Sequence, residues 1–156
     1  MFIVESTIHL AAPLARVWRL LIDLEHYSDW HPTLALKGIA SVGTEIGYKF
    51  KTGMRSFPEV STTADVTRVD RHAAFFWKLG MKGLLEVEQG FELAKSDSGT
   101  IVTHKMCCRG VLSVLAVPSL KRGFEKTTVA TNQFLARFLK RGTTTARYSQ
   151  QTKRHH

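Results

Sequence analysis

The stretch IHLAAPLARVWRLLIDLEHYSDWHP, residues 8–32, changes its periodicity twice within 25 residues and sets the frame for the rest of the chain. Its first three residues finish a run from Phe2 to Leu10 that mixes β-branched with polar side chains, the pattern of a half-buried strand. Ala11-Ala12-Pro13 stops that run. Proline is tolerated where a helix starts because its missing N–H is one the first turn leaves unbonded anyway. Beyond it, Val17, Leu20, Leu21 and Leu24 recur at helical spacing, which predicts one amphipathic helix of about three turns. Residues 25–32, EHYSDWHP, are too aromatic for a free linker and too short for a full helix. They predict a second, short helical turn that ends before Pro32, whose ring disfavours helix in the residue ahead of it.

From Thr33 to Gly110 the punctuation shifts to glycine and short polar clusters, and the runs between take a period of two. In residues 44–52, Ile46, Tyr48 and Phe50 oppose Glu45, Lys49 and Lys51. Val60, Thr62, Ala64 and Val66 oppose Ser61, Thr63 and Asp65, and Phe75, Trp77 and Leu79 oppose Phe76 and Lys78. Leu85, Val87, Gln89, Phe91 and Leu93 oppose Glu86, Glu88 and Glu92, and Val102, His104, Met106 and Cys108 oppose Thr103, Lys105, Cys107 and Arg109. Successive strands with one apolar and one polar face, joined by short glycine-bearing links, predict an antiparallel meander wet on one side. A final helix is expected from about Ser119 to Lys140, with Leu120, Phe124, Thr128, Thr131, Leu135 and Phe138 inward and Gly142 as its stop. It is the one element large enough to cover the apolar sheet face. Residues 143–156 show no apolar period and are expected to form a basic, disordered tail beyond a single domain at 1–142.

Composition narrows the class. The 156 residues are 44% hydrophobic and 22% charged, ordinary globular material. No run approaches the roughly 20 apolar residues of a spanning helix, and the N-terminus does not read as a signal peptide. Cys107 and Cys108 are adjacent, too strained a pair for an ordinary structural disulfide, so a cytoplasmic protein is expected. The net charge of +9 is uneven: residues 1–120 carry 13 Lys+Arg against 12 Asp+Glu, and residues 121–156 carry nine against one. Such a basic end would meet an anionic membrane or another acidic partner. Sequence-specific nucleic-acid reading is not expected, because the charged helix must also cover the sheet and no helix-turn-helix pair is present.

In this order, residues 8–32, Val66 with Phe75 and Trp77, the hairpin Ser98-Gly99-Thr100-Ile101-Val102, Arg109-Gly110 and the closing helix resemble the START-related (SRPBCC) superfamily of helix-grip domains, which includes polyketide cyclases and the birch-pollen-allergen fold. The resemblance spans residues 1–140. It implies an α+β helix-grip fold, with a curved antiparallel sheet of six to seven strands around the C-terminal helix and two short helices closing one end. It also implies an elongated cavity between sheet and helix that takes lipids, sterols, polyketides or other apolar molecules. The chain departs from the superfamily in two places. Residues 43–47 hold only two glycines where the plant-allergen branch has a glycine-rich loop, and Met106 stands where an acidic residue is common on the last strand.

On that resemblance the inward positions become a lining: Ile46, Tyr48, Phe50, Ala64, Val66, Phe75, Trp77, Gln89, Phe91, His104, Met106 and Cys108, faced by Phe124, Thr128, Thr131 and Leu135. The list is apolar with a few separated polar heads, the profile of a small-molecule pocket. His104 is its most informative member, since an imidazole with Tyr48 beside it can polarise a carbonyl or take a proton. No inward carboxylate is available to orient it. His26 and His31, beside Asp23 and Asp29, do not make a metal-ligand pattern, and no metal or cofactor is expected. The first expectation is therefore binding or carriage of a lipid-, polyketide- or quinone-like molecule. A polyketide cyclase, aromatase or dehydratase using His104 and Tyr48 is the enzyme alternative. A lipid chaperone or interaction protein docking through its basic end is the third.

Overall fold

The structure, a computed structural model, describes residues 1–115 and 117–152, with side chains up to residue 142. Strand β1 (Phe2–Leu10) leads into helix α1 (Leu14–Ile22), a 3₁₀ turn (Leu24–His26) and the one-turn helix α2 (Tyr27–Trp30). Six strands follow: β2 (Leu34–Lys37), β3 (Glu45–Lys51), β4 (Glu59–Asp70), β5 (Ala74–Met81), β6 (Leu85–Ser96) and β7 (Gly99–Arg109). Helices α3 (Val111–Leu115) and α4 (Val117–Thr152) close the chain. This is the α+β helix-grip architecture. Among the described residues no helix is long and apolar enough to cross a membrane.

The seven strands form one antiparallel sheet in the order β1-β7-β6-β5-β4-β3-β2. Strands β2 to β7 are the expected meander. The first strand then pairs with the last along its whole length, from Phe2 opposite Cys108 to Leu10 opposite Thr100. A bulge between Val66 and Arg68 on β4 keeps Val66 beside Trp77 while Arg68 moves to the outer face, over the Phe76 ring. That outer face is polar. Lys105 lies between Glu92 at 2.8 Å and Glu5 at 3.7 Å, and Arg68 bonds Asp70 at 2.6 Å.

Helix α4 lies across the concave face nearest β1 and β7. Thr128, Thr131, Asn132, Leu135 and Leu139 are its buried residues, with Phe124, Phe134 and Phe138 half-buried. Asn132 breaks the expected apolar stripe because its Nδ2 donates to the Ser6 carbonyl of β1 at 2.8 Å, tying the helix to the edge strand. The helix also outruns its expected end. Gly142 is passed and helical backbone continues to Thr152, ten residues into the stretch expected as tail; residues 153–156 lie outside the described residues. An internal glycine costs a helix only about 1 kcal/mol, and no proline follows to end it.

Candidate functional site

The two halves of the concave face are built differently. Toward the β4–β5 and β6–β7 turns the face is filled. Val17, Leu21, Leu24, Tyr27 and Trp30 of the segment after β1 pack on Ile46, Val66, Phe75, Phe91 and Val102 of the sheet and on Leu135 and Leu139 of α4. Tyr27 seals this half: its ring meets Trp77 edge-on at 6.4 Å and its buried hydroxyl donates to the Leu21 carbonyl at 2.6 Å. Toward the other end, where β3 meets β4 and β5 meets β6, α1 and α2 no longer reach, and a cavity of about 200 Å³ opens.

Fifteen residues line it, and its deep members carry the polar groups. His31, Trp77, Gln89, Phe91, His104 and Thr131 are buried; Tyr48, Phe50, Leu79, Val87, Phe124 and Thr127 are half-buried, and Val60 is exposed at the rim. The polar side chains are mostly held in pairs. Gln89 Nε2 donates to the Tyr48 hydroxyl at 3.1 Å, leaving the phenol proton available to another acceptor. His31 Nδ1 accepts from the Thr33 N–H at 3.3 Å, so Nε2 carries the ring proton and donates to Thr131 Oγ1 at 3.0 Å. Burial then holds His31 neutral, its pKa pushed down to about 4.

His104 is different. It stacks on Phe91 with ring centroids 4.6 Å apart, and burial drives its pKa down to about 3, opposed by a hydrogen bond to the main chain of Thr128. The main-chain carbonyl of a helix residue accepts, so the ring proton sits on Nε2 and Nδ1 is a bare acceptor. That Nδ1 is buried with no hydrogen-bond partner among the described residues, and so is the indole N–H of Trp77. Both residues belong to the cavity wall, and both atoms are turned away from the open space as well as from solvent. An unpartnered buried polar group costs about 1–3 kcal/mol.

Of the residues expected at a ligand site, the cavity gathers Tyr48, Phe50, Trp77, Gln89, Phe91, His104, Met106, Phe124 and Thr131. Ile46, Ala64, Val66, Phe75 and Leu135 belong to the filled half instead, because α1 and α2 occupy the space in front of them. Cys108 is buried opposite Phe2, whose ring contacts Phe124 at 5.7 Å. Thr128 turns its hydroxyl back to the Glu125 carbonyl and acts through its main chain. The cavity also includes His31, Leu34, Val60, Leu79, Val87 and Thr127. Val60, Leu79 and Val87 already share the inward parity of their strands. His31 gives no periodic signal, since it ends a four-residue helix; it lies apart from exposed His26, which pairs with Asp23 at 2.9 Å.

A family model described as "Polyketide cyclase / dehydrase and lipid transport" matches residues 1–144. The chain belongs to that family. No curated protein matches it. Among solved structures, protein NE0264 of Nitrosomonas europaea superposes with a TM-score of 0.69 at 17% identity, over 91% of this chain and 96% of that one. Protein Ms6760 of Mycobacterium smegmatis gives 0.67 at 15%, over 90% and 92%. DynU16, from the dynemicin biosynthetic locus, gives 0.67 at 17% over 90% of this chain, which spans about half the length of DynU16. At these identities the likeness is one of fold. In this polyketide cyclase and lipid-transport family member the hollow under α4 lies toward the β3–β4 and β5–β6 turns.

Proposed function

We propose that the protein binds a small, largely apolar molecule that carries a hydroxyl or carbonyl at one end and enters the cavity polar end first. The observation that carries this reading is a cavity of about 200 Å³ with a largely apolar lining in which the Tyr48 hydroxyl, accepting from Gln89, keeps its own proton for a guest acceptor. A guest hydroxyl or carbonyl oxygen can accept that proton. Size restricts the guest further. An apolar protein cavity of about 150 Å³ holds benzene, whereas pockets enclosing drug-sized ligands begin near 300 Å³. At about 200 Å³ the space suits a one- or two-ring molecule, or the polar end of a longer quinone-, polyketide- or lipid-like one whose remainder leaves by the mouth.

The imidazole state favours binding over proton abstraction. A general base works best with a pKa near the working pH, and His104 at about 3 lies far below neutrality. Tyr48, whose pKa burial raises, stays a neutral phenol and is the donor that a guest oxygen meets. The test compares 2-naphthol with naphthalene by titration calorimetry or quenching of tryptophan fluorescence. The expected result is a preference of about five- to tenfold for the hydroxylated probe, the size of one net hydrogen bond, lost in Tyr48→Phe. Equal affinity for the two probes would count against the proposal.

A further inference from the structure

The mouth of the cavity is the part of the surface whose chemistry the ligand reading leaves unexplained. Strand polarity brings three connections to this end: the β3–β4 loop at 52–58, the β5–β6 turn at 82–84, and α3 with the start of α4. They are joined there. Val111 and Leu112 donate their N–H groups to the Gly83 and Leu84 carbonyls at 3.1 and 3.0 Å, so α3 is fastened to the β5–β6 turn. Gly110 makes that approach possible: its φ is +106°, and a Cβ there would lie 2.5 Å from the Leu84 carbonyl oxygen. The β3–β4 loop is tied by the Thr52 hydroxyl donating to the Phe57 carbonyl.

Of the fourteen large hydrophobic side chains exposed among the described residues, nine fall between 54 and 60, at 81 and 84, or between 111 and 115. Phe57 is 68% exposed and Leu115 76%, with Met54, Met81, Leu112 and Val114 around them. Scattered single hydrophobics are ordinary, but a concentration at one end marks an interaction surface. The same segments and their flanks carry Arg55, Lys82, Arg109, Lys121 and Arg122, all exposed. The acidic residues nearby are Glu59, which pairs with Lys49, Glu86, which lies opposite Arg109 and pairs with Lys78, and Glu125. Exposed apolar side chains within a ring of Lys and Arg complement a surface that is anionic outside and hydrocarbon beneath.

We propose that this end docks on an anionic lipid bilayer, with Phe57, Leu112 and Leu115 entering the interface and the basic ring meeting lipid headgroups. This deepens the cavity reading by naming the surface from which the guest comes, and rests on it only for that purpose. Docked so, the mouth faces the headgroup layer, where the polar end of an amphiphile lies, and head-first entry carries that end to the Tyr48 hydroxyl. The site shares only Lys121 and Arg122 with the basic stretch 121–156 that the charge distribution suggests.

The test is co-sedimentation with vesicles of phosphatidylcholine alone and of phosphatidylcholine with about one-third phosphatidylserine. Wild-type protein should bind the anionic vesicles, and the binding should weaken with salt. The double variant Leu112→Ser, Leu115→Ser should bind about tenfold or more weakly, and Arg55→Glu or Lys82→Glu about fivefold or more weakly. Arg137→Glu, on α4 away from the mouth, should bind as wild type does. All variants should keep their affinity for 2-naphthol, which separates failure of docking from failure of the cavity reading and shows that they fold. Three results would overturn the proposal: no binding to anionic vesicles, loss through Arg137→Glu with the mouth variants unaffected, or a dimer in sedimentation that the Leu112→Ser, Leu115→Ser variant dissociates.

Discussion

The filled and hollow halves of the concave face have the same cover, α4, and the same strands beneath, yet one is a core and the other a site. Phe75 and Trp77 are two residues apart on β5 and point the same way; Phe75 is covered by the helices that follow β1, and Trp77 stands at their edge. The sheet face alone therefore does not decide between packing and binding. The length of the inserted helices decides it. Val17, Leu21 and Tyr27 plug the space as far as Trp77, which is in register with Gln89 and Met106 of the cavity wall.

That contrast is most strongly tested by truncation. Phe75→Ala, fully buried among its neighbours, should cost about 3–5 kcal/mol in urea unfolding, with Leu79→Ala, half-buried at the cavity, costing about 1 kcal/mol or less. Similar losses at the two sites would mean that the hollow half is packed as tightly as the filled one. The next largest effect is on pH dependence. His31 and His104 are both held neutral by burial, and the charge of either would oppose that of the other. Their folded pKa values, about 4 and about 3, lie below the unfolded value near 6.5, so below pH 6.5 the unfolded chain takes up protons that the folded one refuses. Stability is full above pH 6.5 and should fall as pH drops toward 4, by up to about 1.4 kcal/mol per unit for each histidine. Denaturant midpoints between pH 7 and 5 check this, and His104→Gln should flatten the curve. A wild-type curve already flat over that range would show that these imidazoles are not buried neutral. The smallest effect belongs to the outer face, where Glu92→Gln loses the 2.8 Å pair with Lys105 between partly exposed partners and should cost less than about 1 kcal/mol.

Much of this architecture is legible along the chain because local rules agree with the final contacts. The alternation in β3 to β7 sided Tyr48, Trp77, Gln89 and His104 correctly, since each strand has one wet face, and Pro13 marked the entry to α1. The pairing of β1 with β7 leaves no local trace: Phe2 and Cys108 meet across more than a hundred residues. The division of the inward list into core and cavity was equally hidden. Ile46, Val66 and Phe75 carry the same parity as Tyr48 and Trp77, and only the three-dimensional reach of α1 and α2 separates them. His31 joined the site through α2, which is too short to show a period. The end of α4 was misjudged because glycine weakens a helix without ending it.

The most direct test of the hollow half is to fill it. Val87→Trp adds bulk at the half-buried position opposite Leu79, on the cavity wall. If the space is open, the variant should unfold within about 1 kcal/mol of wild type and bind 2-naphthol at least tenfold more weakly. If the space is already packed, the extra volume should instead cost about 1–3 kcal/mol, as overpacking does, and naphthol affinity should be no different from that of wild type.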